Sequence, residues 1–191
     1  MARVPYLSPE NLGEKERIRV ESAARPMSGV GRAFQALLHS PELAARYLHL
    51  TNYFREASIL DLKMREMVTL ATAREWDSQF IWTAHEGAAR RAGVPEKVIV
   101  AIRDCNVQTN VSGNDSVILE YVQELLRNRK VSDSTFRQVE RIVGTQGIVE
   151  LTVLIGYYTM QAHTQAALEV ELEEGVTPLL PLTNSVKRNR P

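Results

Sequence analysis

An all-α fold follows from three observations on the sequence. No proline stands between Pro41 and Pro95 or between Pro95 and Pro178, apolar residues recur at helical spacing, and no segment keeps the strict alternation of a half-buried strand. Proline costs about 3 kcal/mol inside a helix, so the two long gaps leave room for helices throughout. In chain order, Ser40 and Pro41 give an N-cap and a first-turn proline that open ELAARYLHLTNYFREA. Asp61 caps LKMREMVTLATARE, whose Leu62, Met64, Met67, Val68, Leu70 and Ala71 mark an apolar stripe. Ser78 begins QFIWTAHEGAARRA, and Gly93 closes it where a left-handed residue is wanted. Pro95 opens EKVIVAIRD, residues 108–113 read as a polar loop, and Asn114 or Asp115 caps SVILEYVQELLRNR. Ser132 caps DSTFRQVERIVG, and Thr145 starts a long apolar helix that runs to about Leu172. The expectation is a multi-helical bundle of roughly seven to eight helices over residues 26–175. Residues 1–25 are expected to form an extended arm and residues 176–191, with Lys187, Arg188 and Arg190, a loosely held tail.

Composition narrows the function classes. Lys plus Arg is 23 and Asp plus Glu is 23, so the 191-residue chain has no net charge. A partner for nucleic acid needs clustered cations, and none is expected here. The 44% apolar content against 24% charged supports a sizeable core. Cys105 is the one cysteine, which excludes an intramolecular disulfide, a CxxC redox pair and a cysteine-built metal cage, and fits a reducing, cytoplasmic compartment. The longest uncharged run, 151–168, contains Thr152, Thr159, Gln161, His163, Thr164 and Gln165. These polar groups are costly in hydrocarbon, so the run reads as a buried helix and no membrane partner is expected.

The stretch most able to carry chemistry is REMVTLATAREWDSQFIWTAHEGAARRAGVPEKVIVAI, residues 65–102. Two helices meet at a turn near Trp76 and Asp77. Glu66 precedes that turn by about as many residues as His85 follows it, so at a rise of 1.5 Å per residue their heights differ by only about 3 Å. Ser78, Ile81, Trp82 and His85 lie at i, i+3, i+4 and i+7 and share one side of the second helix. A Glu–His pair suits proton transfer, because histidine titrates near neutrality and a carboxylate fixes its tautomer. The same pair also serves as a buried polar contact that satisfies itself. His163, on the last helix, reads either as a second site histidine or as a polar residue in a helix interface. A weak internal echo is also present: Glu66-Met-Val-Thr-Leu-Ala resembles Glu150-Leu-Thr-Val-Leu-Ile, and each carboxylate leads an apolar helix that later bears a histidine.

The motif around Glu66 and His85 resembles the carboxymuconolactone decarboxylase family, within the superfamily that includes the alkylhydroperoxidase D proteins. The peroxidases there carry a glutamate, a CxxC pair and a histidine four residues beyond the second cysteine. On this sequence the glutamate falls on Glu66 and the histidine on His85, while the cysteine positions fall on Ser78 and Ile81. Serine and isoleucine cannot form the peroxidase disulfide. Arg65-Glu66, the W-x-x-H of Trp82 and His85, and the A-x-x-x-G of Ala89 and Gly93 are similar to the non-thiol, decarboxylase-like branch. The likeness continues through EYVQELL, RKVSD and VELTVLIGYYTM and covers roughly residues 28–172. Where similar proteins often follow YYxM with an arginine-bearing segment, this chain has His163.

The resemblance implies a cofactor-independent carboxy-lyase acting on a small carboxylated lactone or related acid. It implies His85 as hydrogen-bond donor or general acid and Glu66 as its orienting partner, with Trp82, Ser78, Ile81 and His163 around the substrate. No metal, pyridoxal or thiamine is needed, because an unsaturated lactone is its own electron sink. Homo-oligomers are implied, with sites near subunit interfaces. The alternatives are a thiol-independent oxidoreductase or hydratase, and a helical scaffold without catalysis.

Overall fold

The computed structural model describes residues 2–23 and 31–181. Nine α-helices and no strand occur among the described residues: α1 (Glu14–Ala23), α2 (Arg32–Leu37), α3 (Pro41–Glu56), α4 (Leu62–Glu75), α5 (Gln79–Arg91), α6 (Glu96–Arg103), α7 (Val107–Asn110), α8 (Gly113–Gln123) and α9 (Asp133–Leu168). A π-helical turn, Glu124–Asn128, continues α8. The all-α expectation holds: eight of these helices, α2 to α9, lie within residues 26–175, and α1 precedes them.

Local chemistry explains the element ends. Asp61 Oδ1 accepts from Met64 N–H at 2.7 Å and starts α4. Ser78 Oγ accepts from Ile81 N–H at the head of α5, and Ser132 Oγ accepts from Thr135 N–H at the head of α9. Gly93, with φ +87°, ends α5 in the conformation that a side chain disfavours. Gly144, with φ +74° and ψ 172°, breaks α9 just before Thr145, where the apolar helix is expected to begin. α8 starts two to three residues earlier than expected, with Ser112 rather than Asn114 or Asp115 at the N-cap position.

α4 is the centre of the bundle. It is buried from Met67 to Glu75 and packs along α5, α6, α8 and α9. The main core gathers Phe54, Met67, Leu70, Trp82, Ile99, Leu119, Leu151 and Leu154 among others. A smaller core of Val20, Ala23, Leu38, Ala44, Ala45 and Leu48 joins α1 and the α2–α3 region.

Both chain ends depart from the expected arm and tail. The arm contains helix α1, whose EKERIRVESA has few apolar residues and thus little periodicity to read; Val20 and Ala23 nevertheless bury against α3. Ahead of it, Arg3 N–H donates to Leu168 O at 2.9 Å and its guanidinium pairs with Glu169 at 2.7 Å. Glu171 N–H donates to Tyr6 Oη at 2.9 Å. Arg32 donates from its backbone to Glu173 Oε1 at 2.7 Å and from Nη1 to Leu172 O at 2.6 Å. The segment beyond α9 is not loose over 176–181. Leu180 is 3% exposed within the main core, Arg74 Nη1 donates to Pro181 O at 3.1 Å, and Leu179 N–H donates to Thr83 Oγ1 at 3.2 Å. The boundary expected at residue 26, and Lys187, Arg188 and Arg190, lie outside the described residues.

Candidate active site

The antiparallel α4–α5 hairpin brings Glu66 and His85 together. His85 Nδ1–H donates to Glu66 Oε2 at 2.9 Å, with the two side chains 25% and 13% exposed respectively. A carboxylate only accepts, so this bond fixes the Nδ1 proton and leaves Nε2 on the far side of the ring. There the Tyr158 hydroxyl donates at a long 3.4 Å, its ring edge-on to the imidazole at 5.2 Å. Burial pushes the Tyr158 hydroxyl pKa up, reinforced by Tyr157 and Glu66 and opposed by Thr69 and Arg55. It therefore remains a proton-bearing donor through neutral pH.

The pair borders a cavity of about 530 Å³. α5 presents the row Phe80, Ala84 and Ala88 beside His85, and α4 presents Leu62, Arg65, Glu66 and Thr69. α3 contributes Tyr47, Thr51, Phe54 and Arg55, α9 contributes Leu154, Tyr157, Tyr158 and Gln161, and Gly31, Ala33 and Phe34 line it from α2 and its start. Tyr157 and Thr51 share a hydroxyl contact of 2.7 Å, and the Tyr47 and Tyr157 rings pack at 5.3 Å. The volume is that of a small-molecule site, mostly apolar with a few polar groups converging on one side. Arg65 Nε is buried and finds no hydrogen-bond partner among the described residues.

The other residues expected around the substrate lie elsewhere. Trp82 is 0% exposed, packed in the main core, and its Nε1–H donates to Glu86 Oε2 at 3.1 Å. Ile81 is buried in the same core. Ser78 is occupied as the α5 cap and donates from Oγ to Gln165 Oε1 at 3.3 Å. His163 is exposed and stacks edge-on against Trp76 at 4.2 Å. None of the four lines the cavity beside His85. The physical reason is that α5 has neighbours on two sides. A shared stripe at i, i+3, i+4 and i+7 spans an arc wide enough for Trp82 to enter the core while His85 meets the cavity. Tyr158, Arg55 and Arg65 are the lining residues that sequence reasoning gave no site role. Their signal was polar or aromatic groups set into otherwise apolar helical faces. No group of three or more His, Cys, Asp or Glu residues suited to a metal ion occurs among the described residues. Among them no helix is long and apolar enough to cross a membrane.

Residues 41–112 match the carboxymuconolactone decarboxylase family. That span contains α3 to α5 and hence Glu66, His85 and much of the cavity wall. Among solved structures, the chain is similar to an uncharacterized peroxidase-related protein from Ralstonia eutropha JMP134, described as an alkylhydroperoxidase AhpD core. The TM-score is 0.74 at 14% identity, over 93% of this chain and 98% of that one. No curated protein matches the chain in sequence. The α4–α5 hairpin with Glu66 and His85 thus lies in a segment similar to the carboxymuconolactone decarboxylase family, and the helical architecture of the chain is the alkylhydroperoxidase D-like fold.

Proposed function

We propose that the protein is a cofactor-independent carboxy-lyase acting on a small unsaturated lactone carboxylate or a related acid. The observation that carries this reading is the Glu66–His85 hydrogen bond at the edge of a cavity that Tyr158 also lines. In the reaction the carbon–carbon bond to the carboxylate breaks and carbon dioxide leaves. The bonding pair moves through the conjugated system onto the lactone carbonyl, giving a dienolate. Tyr158 Oη–H is the donor to that oxyanion, held protonated by its burial. As the Tyr158 hydroxyl turns from Nε2 to the oxyanion, His85, oriented through Nδ1 by Glu66, takes a solvent proton at Nε2 and delivers it to carbon. Glu66 stabilises the imidazolium while it carries the charge. Phe80, Ala84, Leu154 and Tyr157 exclude water from the developing charge and so strengthen both interactions.

The test is a screen of unsaturated lactone carboxylates for carbon dioxide release by wild type and His85→Ala. Turnover in the wild type that falls by about 10²-fold or more in the variant supports the assignment. Release unchanged in His85→Ala removes His85 from the mechanism.

A further inference from the structure

The charges on the cavity wall do not balance. Its one carboxylate, Glu66, is engaged by His85. Its two guanidinium groups, Arg55 and Arg65, have no carboxylate partner among the described residues. The other arginines of α3 and α4 are paired: Arg46 with Glu42 and Arg74 with Asp77. Arg65 Nε–H is buried without an acceptor among the described residues, as is Arg74 Nε–H. The Arg74 guanidinium, however, is bound through its other nitrogens to Asp77 and Pro181 O, whereas no such bond offsets the desolvation of Arg65 among the described residues. Arg55 is more exposed, yet close enough to the cavity for its charge to act on the hydroxyls of Tyr47, Tyr157 and Tyr158.

We infer that Arg65 is the anchor for a carboxylate of the ligand, with Arg55 supplying a second positive charge beside the same cavity. A planar carboxylate fits the guanidinium fork, and one of its oxygens would give the buried Nε–H its missing acceptor. One partly buried guanidinium flanked by aromatic and aliphatic walls suits a monoanionic head on a flat, apolar body better than a phosphate dianion. Arg65 and Glu66 are consecutive, and consecutive side chains on a helix diverge by about 100°. The anion is therefore held to one side of His85, which stays free to work on the ring of the same molecule. This inference deepens the decarboxylase reading and rests on it for the identity of the pocket, but it concerns binding rather than turnover.

The experiment is calorimetric titration of wild type, Arg65→Met, Arg65→Lys and His85→Ala with coumalate (an unsaturated lactone carboxylate), with its methyl ester and with inorganic phosphate. Coumalate binding that weakens about tenfold or more in Arg65→Met, with Arg65→Lys intermediate and the ester weak in every protein, supports the assignment. His85→Ala should keep the preference for coumalate over its ester, because that preference comes from Arg65. The thermal midpoint of Arg65→Met should match or exceed that of wild type, since the variant removes an unpaired buried donor. Equal binding of acid and ester, unchanged affinity in Arg65→Met, phosphate bound more tightly than coumalate, no coumalate binding by wild type at millimolar concentration, or a large drop in the Arg65→Met midpoint would each overturn it. Failure of the decarboxylase reading shows separately, as coumalate bound through Arg65 by a protein that releases no carbon dioxide from any lactone acid.

Discussion

Glu66 and Glu150 occupy comparable places, each at the head of an apolar helical run, and their surroundings differ in what they leave unused. Glu150 accepts from Tyr53 Oη at 2.7 Å, Ser58 Oγ at 2.7 Å, Ile59 N–H at 3.0 Å and Gln146 Nε2 at 2.8 Å. Four donors saturate its two oxygens and tie α9 to the α3–α4 connection. Glu66 has one hydrogen-bond partner among the described residues, His85, and opens on a cavity. A carboxylate with every lone pair engaged holds a structure together. One with spare capacity beside open space can act on a guest. The internal echo in the sequence thus joins two groups of opposite use.

Substitution should separate the two sites. The largest effect is expected from Glu66→Gln or His85→Ala on decarboxylation, a loss of about 10²- to 10⁴-fold in kcat. Both variants should keep their unfolding free energy within about 1 kcal/mol of wild type, because the pair is partly exposed. Denaturant titration run beside the kinetics checks this; a collapse in stability would make Glu66 a second structural hub. Glu150→Ala is expected to do the reverse and lower the unfolding free energy by about 1–2 kcal/mol, since it removes the shared acceptor of four partly buried donors. A change below about 0.5 kcal/mol would remove the contrast.

Tyr158→Phe tests the middle ground. It keeps the ring packed against His85 and removes the oxyanion donor, so kcat should fall by about tenfold to a hundredfold with little change in fold stability. The smallest effect concerns pH. Burial opposes the charge on Glu150, but hydrogen bonds from Ser58, Gln146, Tyr53 and Ile59 outweigh it and hold the carboxyl below its ordinary value of 4.5. The folded state then takes up its proton later than the unfolded chain as pH falls. This contribution is complete above about pH 5 and fades as acid protonates the folded carboxyl. The thermal midpoint of Glu150→Gln should accordingly fall less steeply than that of wild type between about pH 5 and pH 3. Parallel acid limbs would show that the bonds do not distinguish charge.

The meeting of Glu66 and His85 was legible because it needs only helical rise and the position of one turn. The break at Gly144 was legible too, since a glycine ahead of a new apolar run marks a boundary. The cavity was not. Its volume depends on how α2 and α3 stand against α4 and α9, and no local period encodes that. Trp82 shows the limit most clearly: its spacing from His85 is right, but core and cavity divide the same helical face between them. Leu180 was unreadable for a simpler reason, because an extended segment anchored by one buried side chain carries no pattern.

The contacts at the start of the chain have a consequence for biosynthesis. Arg3, Tyr6 and Arg32 find their partners among residues 167–173. On a ribosome Arg3, Tyr6 and Arg32 must therefore wait for residues 167–173 to be made before they can dock. Arg32 begins α2, which supplies Ala33 and Phe34 to the cavity. A nascent chain that has already folded the α4–α5 hairpin still has an open pocket, and the compartment around His85 is completed only when the end of α9 and the residues after it emerge.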